Sequence, residues 1–185
     1  MPTEPFAIET PRLRLRDWRE GDSEPFIRHT NTEAVMRWLG GVKSDSEVRE
    51  MFAERLVRWQ EERGFTFWAI ERKDDAELLG FCGLKLADGP GCDFIGEYEA
   101  GWRLRQDAWG QGYAKEAAIA SLDFAFDRLG AERVFAVTFI GNDASWGLMK
   151  RLGMRRRADL DYHDPRFREH NPTIVYEIER AAWGR

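Results

Sequence analysis

An order of elements constrains this chain more than any single residue does. Residues 95–104, IGEYEAGWRL, read as a strand. DAWGQGYAKEAA (107–118) is a turn with two glycines that runs into helix formers, and RVFAVTFI (133–140) is an apolar strand. A helix that links two neighbouring strands makes them parallel. Gly110 and Gly112 then stand at the N-terminus of the crossover helix. There the first backbone N–H groups lack partners and the dipole end is positive. Two readings fit: a tight strand-to-helix turn, or a backbone left bare so that a phosphate can reach those amides. The spacing is not GxxxxGK[ST], because no Lys-Ser or Lys-Thr follows, and it is not GxGxxG, because the third glycine is missing.

The other elements follow from periodicity. RLRLRD (12–17) alternates strictly, which predicts a half-buried strand with Leu13 and Leu15 inside and the arginines outside. Asp22 opens a short helix to about residue 30, with Pro25 in its first turn. Ser44 to Glu47 has capping-box spacing, and Val48, Phe52, Leu56 and Trp59 carry one helix to Gly64. FTFWAIE (65–71), LLGFCGLKLA (78–87) and 95–104 predict an antiparallel meander. Ala114, Ala117, Ala118, Leu122, Ala125 and Leu129 mark one face of the crossover helix, and Gly130 is its C-cap. Ala144 to Leu152 is a short helix stopped by Gly153; strands near 154–162 and at 173–180 end the pattern. No repeat or linker interrupts it, so the expectation is one α+β domain over 1–185 with its core at about 8–180.

Composition narrows the function. A net charge of −5 argues against non-specific nucleic-acid binding. No apolar run approaches the roughly 18 residues of a membrane span, and the start, MPTEPFAIET, has no secretory pattern. Cys82 and Cys92 are too few for a disulfide framework and lack metal-ligand spacing, and no pair among His29, His163 and His170 has it either. The expectation is a cytoplasmic protein with reduced thiols, no metal, and no nucleic-acid or membrane partner, acting as a monomer or homodimer.

EYEAGWRL, WGQGYAKEA and FIGNDASWGLMKRLGM, in that order, resemble the GNAT superfamily of acyl-CoA-dependent N-acetyltransferases. TPRLRLRDWREGD resembles the branch that includes the ribosomal-protein N-terminal acetyltransferases. The resemblance runs from about residue 8 to 180. It implies a mixed, mainly antiparallel twisted sheet flanked by helices and splayed at its two parallel strands. It implies acetyl-CoA as co-substrate, its pantetheine arm paired with the free edge of Trp102, Arg103 and Leu104. The pyrophosphate would sit on the loop of Trp109, Gly110, Gln111, Gly112, Tyr113 and Ala114. Asn142 matches the family asparagine that contacts the cofactor; an amide suits an amide-rich arm because it donates and accepts at once. By itself, Asn142-Asp143 also reads as a helix N-terminal turn.

Acetyl transfer needs a neutral amine, a donor for the developing oxyanion and help for the departing thiolate. Glu99 matches the glutamate of the branch's E-[IA]-G-[YW] pattern and is the expected base. Glu97 shares its face by period two and reads as solvated. An α-amino group titrates near ~8 and a lysine near ~10.4, so freeing the amine at pH 7 costs about 1.4 or about 4.6 kcal/mol. An N-terminal acceptor therefore needs less help than a lysine, and a small-molecule amine is the alternative. Many family members place a tyrosine acid where this chain has Met149. Ser145 is the nearest hydroxyl; it either assists the leaving sulfur or only caps and packs its helix. The missing tyrosine also leaves open an acyl-CoA sensor without turnover. Neither cysteine falls in the loop-and-helix motif, which speaks for direct attack. Lys150, Arg151 and Arg155 to Arg157 form a basic run that meets phosphates or solvent. The tryptophans read as mostly core, with Trp38 and Trp68 the candidates for an acceptor cleft.

Overall fold

The computed structural model describes residues 6–184. The first five residues, part of the stretch read as lacking a leader, and residue 185 lie outside it. Eight strands form one sheet in the order β1-β2-β3-β4-β5-β6-β8-β7. They are β1 (Ala7–Glu9), β2 (Leu13–Arg16), β3 (Phe67–Arg72), β4 (Leu78–Leu86), β5 (Tyr98–Leu104), β6 (Arg133–Phe139), β7 (Arg155–Arg156) and β8 (Thr173–Glu179). Every pairing is antiparallel except β5 with β6, which the crossover helix makes parallel. The α+β expectation therefore holds.

The α-helices of the described residues are α1 (Ser23–Thr30), α2 (Glu33–Met36), α3 (Asp45–Met51), α4 (Arg58–Arg63), α5 (Tyr113–Asp127) and α6 (Asp143–Arg151). Ser44 and Glu47 form the capping box of α3: Ser44 N–H donates to Glu47 Oε2 at 2.8 Å and Glu47 N–H to Ser44 Oγ at 3.3 Å. The single helix expected over this stretch carries a π-helical turn, Phe52–Val57, before α4. Thr66 Oγ1 bonds to the Leu56 carbonyl there, at 2.8 Å. Gly64, at φ 74°, ends α4.

The two faces of the sheet are both covered. On one, Leu13, Leu15, Trp68, Cys82, Ala100 and Leu104 pack against Ala117, Ala118, Leu122 and Ala125 of α5. The alanines let helix and sheet approach closely, and the bulk comes from strand residues. On the other, Phe26 of α1, Val48 and Leu56 pack on Ala69, Leu78 and Phe81. Farther along this face, Phe94 stacks on Phe135 at 4.4 Å.

Covering both faces corrects three expectations. Arg16 does not face solvent: it is buried, and its guanidinium binds Asp22 at 2.8 Å and Glu71 at 2.7 Å. Asp22 precedes α1 as expected, but its carboxylate serves Arg16 rather than capping the helix. Trp68 is fully buried against α5 and lies in the core, not at a cleft. Two boundaries also move. The strand expected from Ile95 begins at Tyr98, because Gly96 (φ 83°) turns the chain and leaves Ile95 and Glu97 exposed. The strand expected near 154–162 shrinks to β7 and one bridge at Tyr162.

Candidate active site

The glycine loop shows why glycine is required there. Gly110 and Gly112 take φ of 72° and 81°, a region that side chains disfavour by about 1–2 kcal/mol. A Cβ at Gly110 would meet nothing within 4 Å, so the loop's outer face is also bare. The tight turn and the open backbone are both present. The amides of Gly110, Gln111 and Gly112 make no hydrogen bond among the described residues. They sit beside the N-terminus of the 15-residue α5, a surface suited to an anion.

Arg12 holds this loop in place, a role the alternation of RLRLRD does not reveal. Its Nη1 donates to the Gln111 carbonyl at 2.9 Å and its Nε to Glu116 Oε2 at 2.7 Å. Its own amide and the Thr10 hydroxyl both donate to Glu116 Oε1, at 2.8 and 2.6 Å. The guanidinium lies 4.5 Å from the Tyr113 ring centroid. Glu116 is held below the ordinary carboxylate range: burial alone would raise it, but Thr10 and Arg12 together outweigh that. A separation of 104 residues hides this contact from any local pattern.

Next to the loop, the parallel pair opens. β5 and β6 register only at Glu99 and Phe135. The β4–β5 register is uniform, and Ala87 N–H donates to the Glu97 carbonyl at 2.8 Å while Arg105 N–H donates to that of Leu79 at 2.8 Å. Odd-numbered residues of β5 therefore turn their backbone groups toward β4, and Ala100, Trp102 and Leu104 turn theirs toward β6. Of the expected trio, Trp102 and Leu104 face the open side. The backbone of Arg103 faces Phe81. The Trp109 indole takes the Leu104 carbonyl at 2.9 Å.

A cavity of about 900 Å³ runs from this loop past β5 to the opposite face, at the upper end of the usual range for ligand pockets. Trp102, Arg103, Leu104, Trp109, Gly110, Gly112, Tyr113, Ala114, Asn142 and Ser145 all line it, with Glu99. Gln111 stands beside it, its side chain bound to the Asp107 carbonyl at 2.8 Å. Glu99 is 7% exposed. Burial pushes its carboxyl above the ordinary range, opposed by Lys85, whose Nζ lies 3.3 Å away. Lys85 is shared with Asp88. Tyr162, which no motif singles out, is buried beside this group, and its phenol is pushed up by burial and then by Glu99.

At the start of α6, Asn142 Nδ2 donates to Thr138 Oγ1 at 3.0 Å. Its side chain does not cap the helix, so its Oδ1 remains available toward the cavity. The Ser145 hydroxyl has no hydrogen-bond partner among the described residues, and the neighbouring Met149 is buried. Cys82 and Cys92 are buried away from the cavity, and burial pushes the Cys82 thiol up to about 12. Trp38 lines the cavity as expected, its ring packed on Gly141 and His170. His163 is exposed, whereas its neighbours Tyr162, Asp164, Arg166 and Phe167 form cavity wall. Of the basic run, Arg151 lines the cavity, Lys150 lies over the Trp146 ring, Arg155 and Arg157 pair with Glu177 and Arg156 with Asp161. No helix of the described residues is long and apolar enough to cross a membrane.

A splayed parallel pair, a glycine loop at a helix start and a buried carboxylate thus meet in one cavity. The acetyltransferase (GNAT) domain model matches residues 12–155, and the chain belongs to this family of N-acetyltransferases. It is 29% identical over 173 residues to an uncharacterized N-acetyltransferase, YoaA, of Bacillus subtilis, covering 92% of this chain and 95% of that one. A GNAT-family acetyltransferase structure from Bacillus anthracis superposes with a TM-score of 0.79 at 23% identity, over 95% of this chain and 99% of that one. The structure of spermidine N-acetyltransferase from Vibrio cholerae, in complex with CoA and spermine, superposes at 0.71 with 15% identity, over 94% and 99%. These two structural likenesses bear on the fold.

Proposed function

We propose that the chain moves an acetyl group from acetyl-CoA to a primary amine by direct attack, as one cytoplasmic domain across residues 1–185. One observation carries this reading: a single cavity joins the bare amides of the glycine loop, the open edge of β5 and the buried Glu99 carboxylate. When bound, acetyl-CoA supplies the acetyl group activated as a thioester. Loop amides between Trp109 and Ala114 hold its pyrophosphate, and Trp102 and Leu104 offer backbone groups to the pantetheine amides. Asn142 Oδ1 accepts an N–H from the same arm.

Glu99 takes a proton from the acceptor amine, directly or through water. Its raised pKa suits the task, since a base nearer neutral pH holds the proton more effectively. Lys85, 3.3 Å away, opposes the effect of burial and favours the carboxylate. The Ser145 hydroxyl bonds the departing sulfur, which the buried Met149 cannot protonate. A free thiol titrates near ~8.5, so the thiolate leaves tolerably well with weak assistance.

The first acceptor is a peptide or protein N-terminus, because its amine is freed at low cost. This agrees with the ribosomal-protein branch that the front of the chain resembles. The test is to incubate the pure protein with acetyl-CoA and three amine sets: peptides with free N-termini, N-blocked lysine peptides and polyamines. Thiol release and product mass are followed. The proposal expects turnover with the first set ahead of the other two. Preference for polyamines would move the acceptor to small amines. Binding of acetyl-CoA with no turnover on any set would make the chain a sensor.

A further inference from the structure

Side chains alternate along β5, so Glu99, Gly101 and Arg103 project to the face away from α5. Between the two charged residues the floor is aromatic. The Phe67 ring fills the place beside Gly101, 2.8 Å from where a Cβ would stand, and it stacks on Phe81 at 4.9 Å. Arg103 is the cross-strand partner of Phe81. Its guanidinium carbon lies 5.2 Å from the Phe81 centroid and 5.5 Å from that of Phe26.

Among the described residues this guanidinium has no anion. Its Nε is buried without a hydrogen-bond partner, and none of its N–H groups finds an acceptor among the described residues. The two rings stand 5.8 Å apart on one side of the guanidinium, and neither offers a lone pair to the donors in its plane. Burial, with no carboxylate to oppose it, pushes its pKa down to about 10, which leaves it charged at neutral pH. The contrast with Arg16 is direct: that buried guanidinium is paired with both Asp22 and Glu71. Arg103 is half-buried, but a cation whose Nε is buried without a partner is costly to a fold, and this one lines the cavity that also holds Glu99.

We infer that the Arg103 guanidinium is a carboxylate subsite of the acceptor pocket, so that the preferred acceptor is an amine bearing a carboxylate several bonds away. The inference rests on the acetyl-transfer reading above and names its substrate class. Four residues of strand separate the Cα atoms of Glu99 and Arg103 by about 13 Å, at roughly 3.3 Å per residue. One α-carbon cannot bridge an amine at Glu99 and a carboxylate at Arg103. A peptide can, at up to roughly 3.5 Å per residue, when its carboxylate lies two or three residues from its free N-terminus. An ω-amino acid has the same chemistry. Either would lie across the Phe67–Phe81 floor, its carboxylate meeting the guanidinium in a bidentate pair.

The test compares matched acceptors in the wild-type protein: the peptide amide Ala-Gly-Asp against Ala-Gly-Asn, and 6-aminohexanoate against its amide. The expected result is at least a tenfold preference in kcat/KM for the acid within each pair. The preference should fall below twofold in Arg103→Gln and survive in part in Arg103→Lys. The relative size of the peptide and aminohexanoate preferences tells which source of the carboxylate the pocket takes. Calorimetry with acetyl-CoA on the same three proteins keeps the two readings apart. Acid and amide turned over equally by the wild type, or a preference that persists in Arg103→Gln, overturns the subsite alone. Loss of acetyl-CoA affinity in Arg103→Gln with the preference intact assigns the guanidinium to the cofactor and also overturns it. If the wild type neither binds acetyl-CoA nor acetylates any amine, the parent reading falls and the subsite with it.

Discussion

The two ends of the cavity are built in different ways. The glycine-loop end is nearly contiguous: Trp102 to Ala114 supply a strand edge, a turn and a helix start. It offers backbone groups. The opposite end is gathered from the region after α2, from α3 and from β3, β4 and β5, together with the 162–167 loop, and it offers side chains: Trp38, Met51, Phe67, Lys85, Glu99, Tyr162 and Arg166. Backbone recognition tolerates a change of sequence so long as φ and ψ persist. Side-chain recognition changes with every substitution. One scaffold can therefore keep one donor while acceptors diverge.

That comparison breaks most sharply at Glu99. Glu99→Gln keeps the shape and removes the proposed base, and kcat/KM should fall by about 10²-fold near pH 7. Burial holds the Glu99 carboxyl above its ordinary range, so wild-type activity should rise with pH as that group loses its proton. The variant should lack that limb, and its deficit should shrink at high pH as the amine becomes neutral unaided. Acetyl-CoA affinity from calorimetry should stay level; a drop there would place Glu99 at the wrong end.

Gly112→Ala tests the backbone end. A Cβ at φ 81° is strained and would meet Arg12 Nη2 at 3.3 Å. Acetyl-CoA affinity should fall at least tenfold, about 1.4 kcal/mol, with the circular dichroism spectrum unchanged. Unaltered affinity would remove the loop from the site.

Ser145 lines the same cavity from the first turn of α6. Ser145→Ala should lower the single-turnover rate by about tenfold, since one hydrogen bond to the forming thiolate contributes roughly 1.4 kcal/mol. Cofactor affinity should hold, because the bond matters as charge builds on sulfur. The reverse pattern would make Ser145 a binding or packing residue only.

The smallest effect is expected at the pin between the N-terminal segment and the loop. Glu116→Gln keeps volume and weakens the pairing with Arg12, a contact half open to water and screened by salt. Acetyl-CoA affinity should drop by only about threefold, roughly 0.65 kcal/mol, and the deficit should narrow as salt rises. A deficit as large as that of Gly112→Ala would mean that the loop is shaped from outside rather than by its own glycines.

The same division sets what was legible beforehand. Gly110 and Gly112 announced the turn because positive φ is a local property of the chain. Ser44 and Glu47 announced the start of α3 because a capping box closes within four residues. The alternation of Leu13 and Leu15 placed them correctly in the core. The same alternation misplaced Arg16, because period two says which face a side chain takes and not whether that face is covered. Glu97 and Glu99 look alike in sequence, yet Gly96 turns the chain before the strand begins, so one is exposed and the other buried.

By itself, then, the sequence determined the order of elements, the parallel pair implied by its crossover helix, the glycine loop and the family motif around Glu99. Each is written in neighbours within a turn or a strand length. Tertiary structure alone decided that Arg12 would pin Gln111 from 99 residues away, that Tyr162 would stand beside Glu99, and that Arg103 would pack half-buried against two phenylalanines with no carboxylate partner among the described residues. Pairings between distant residues depend on which faces of the sheet are covered and by what, and no local periodicity carries that information.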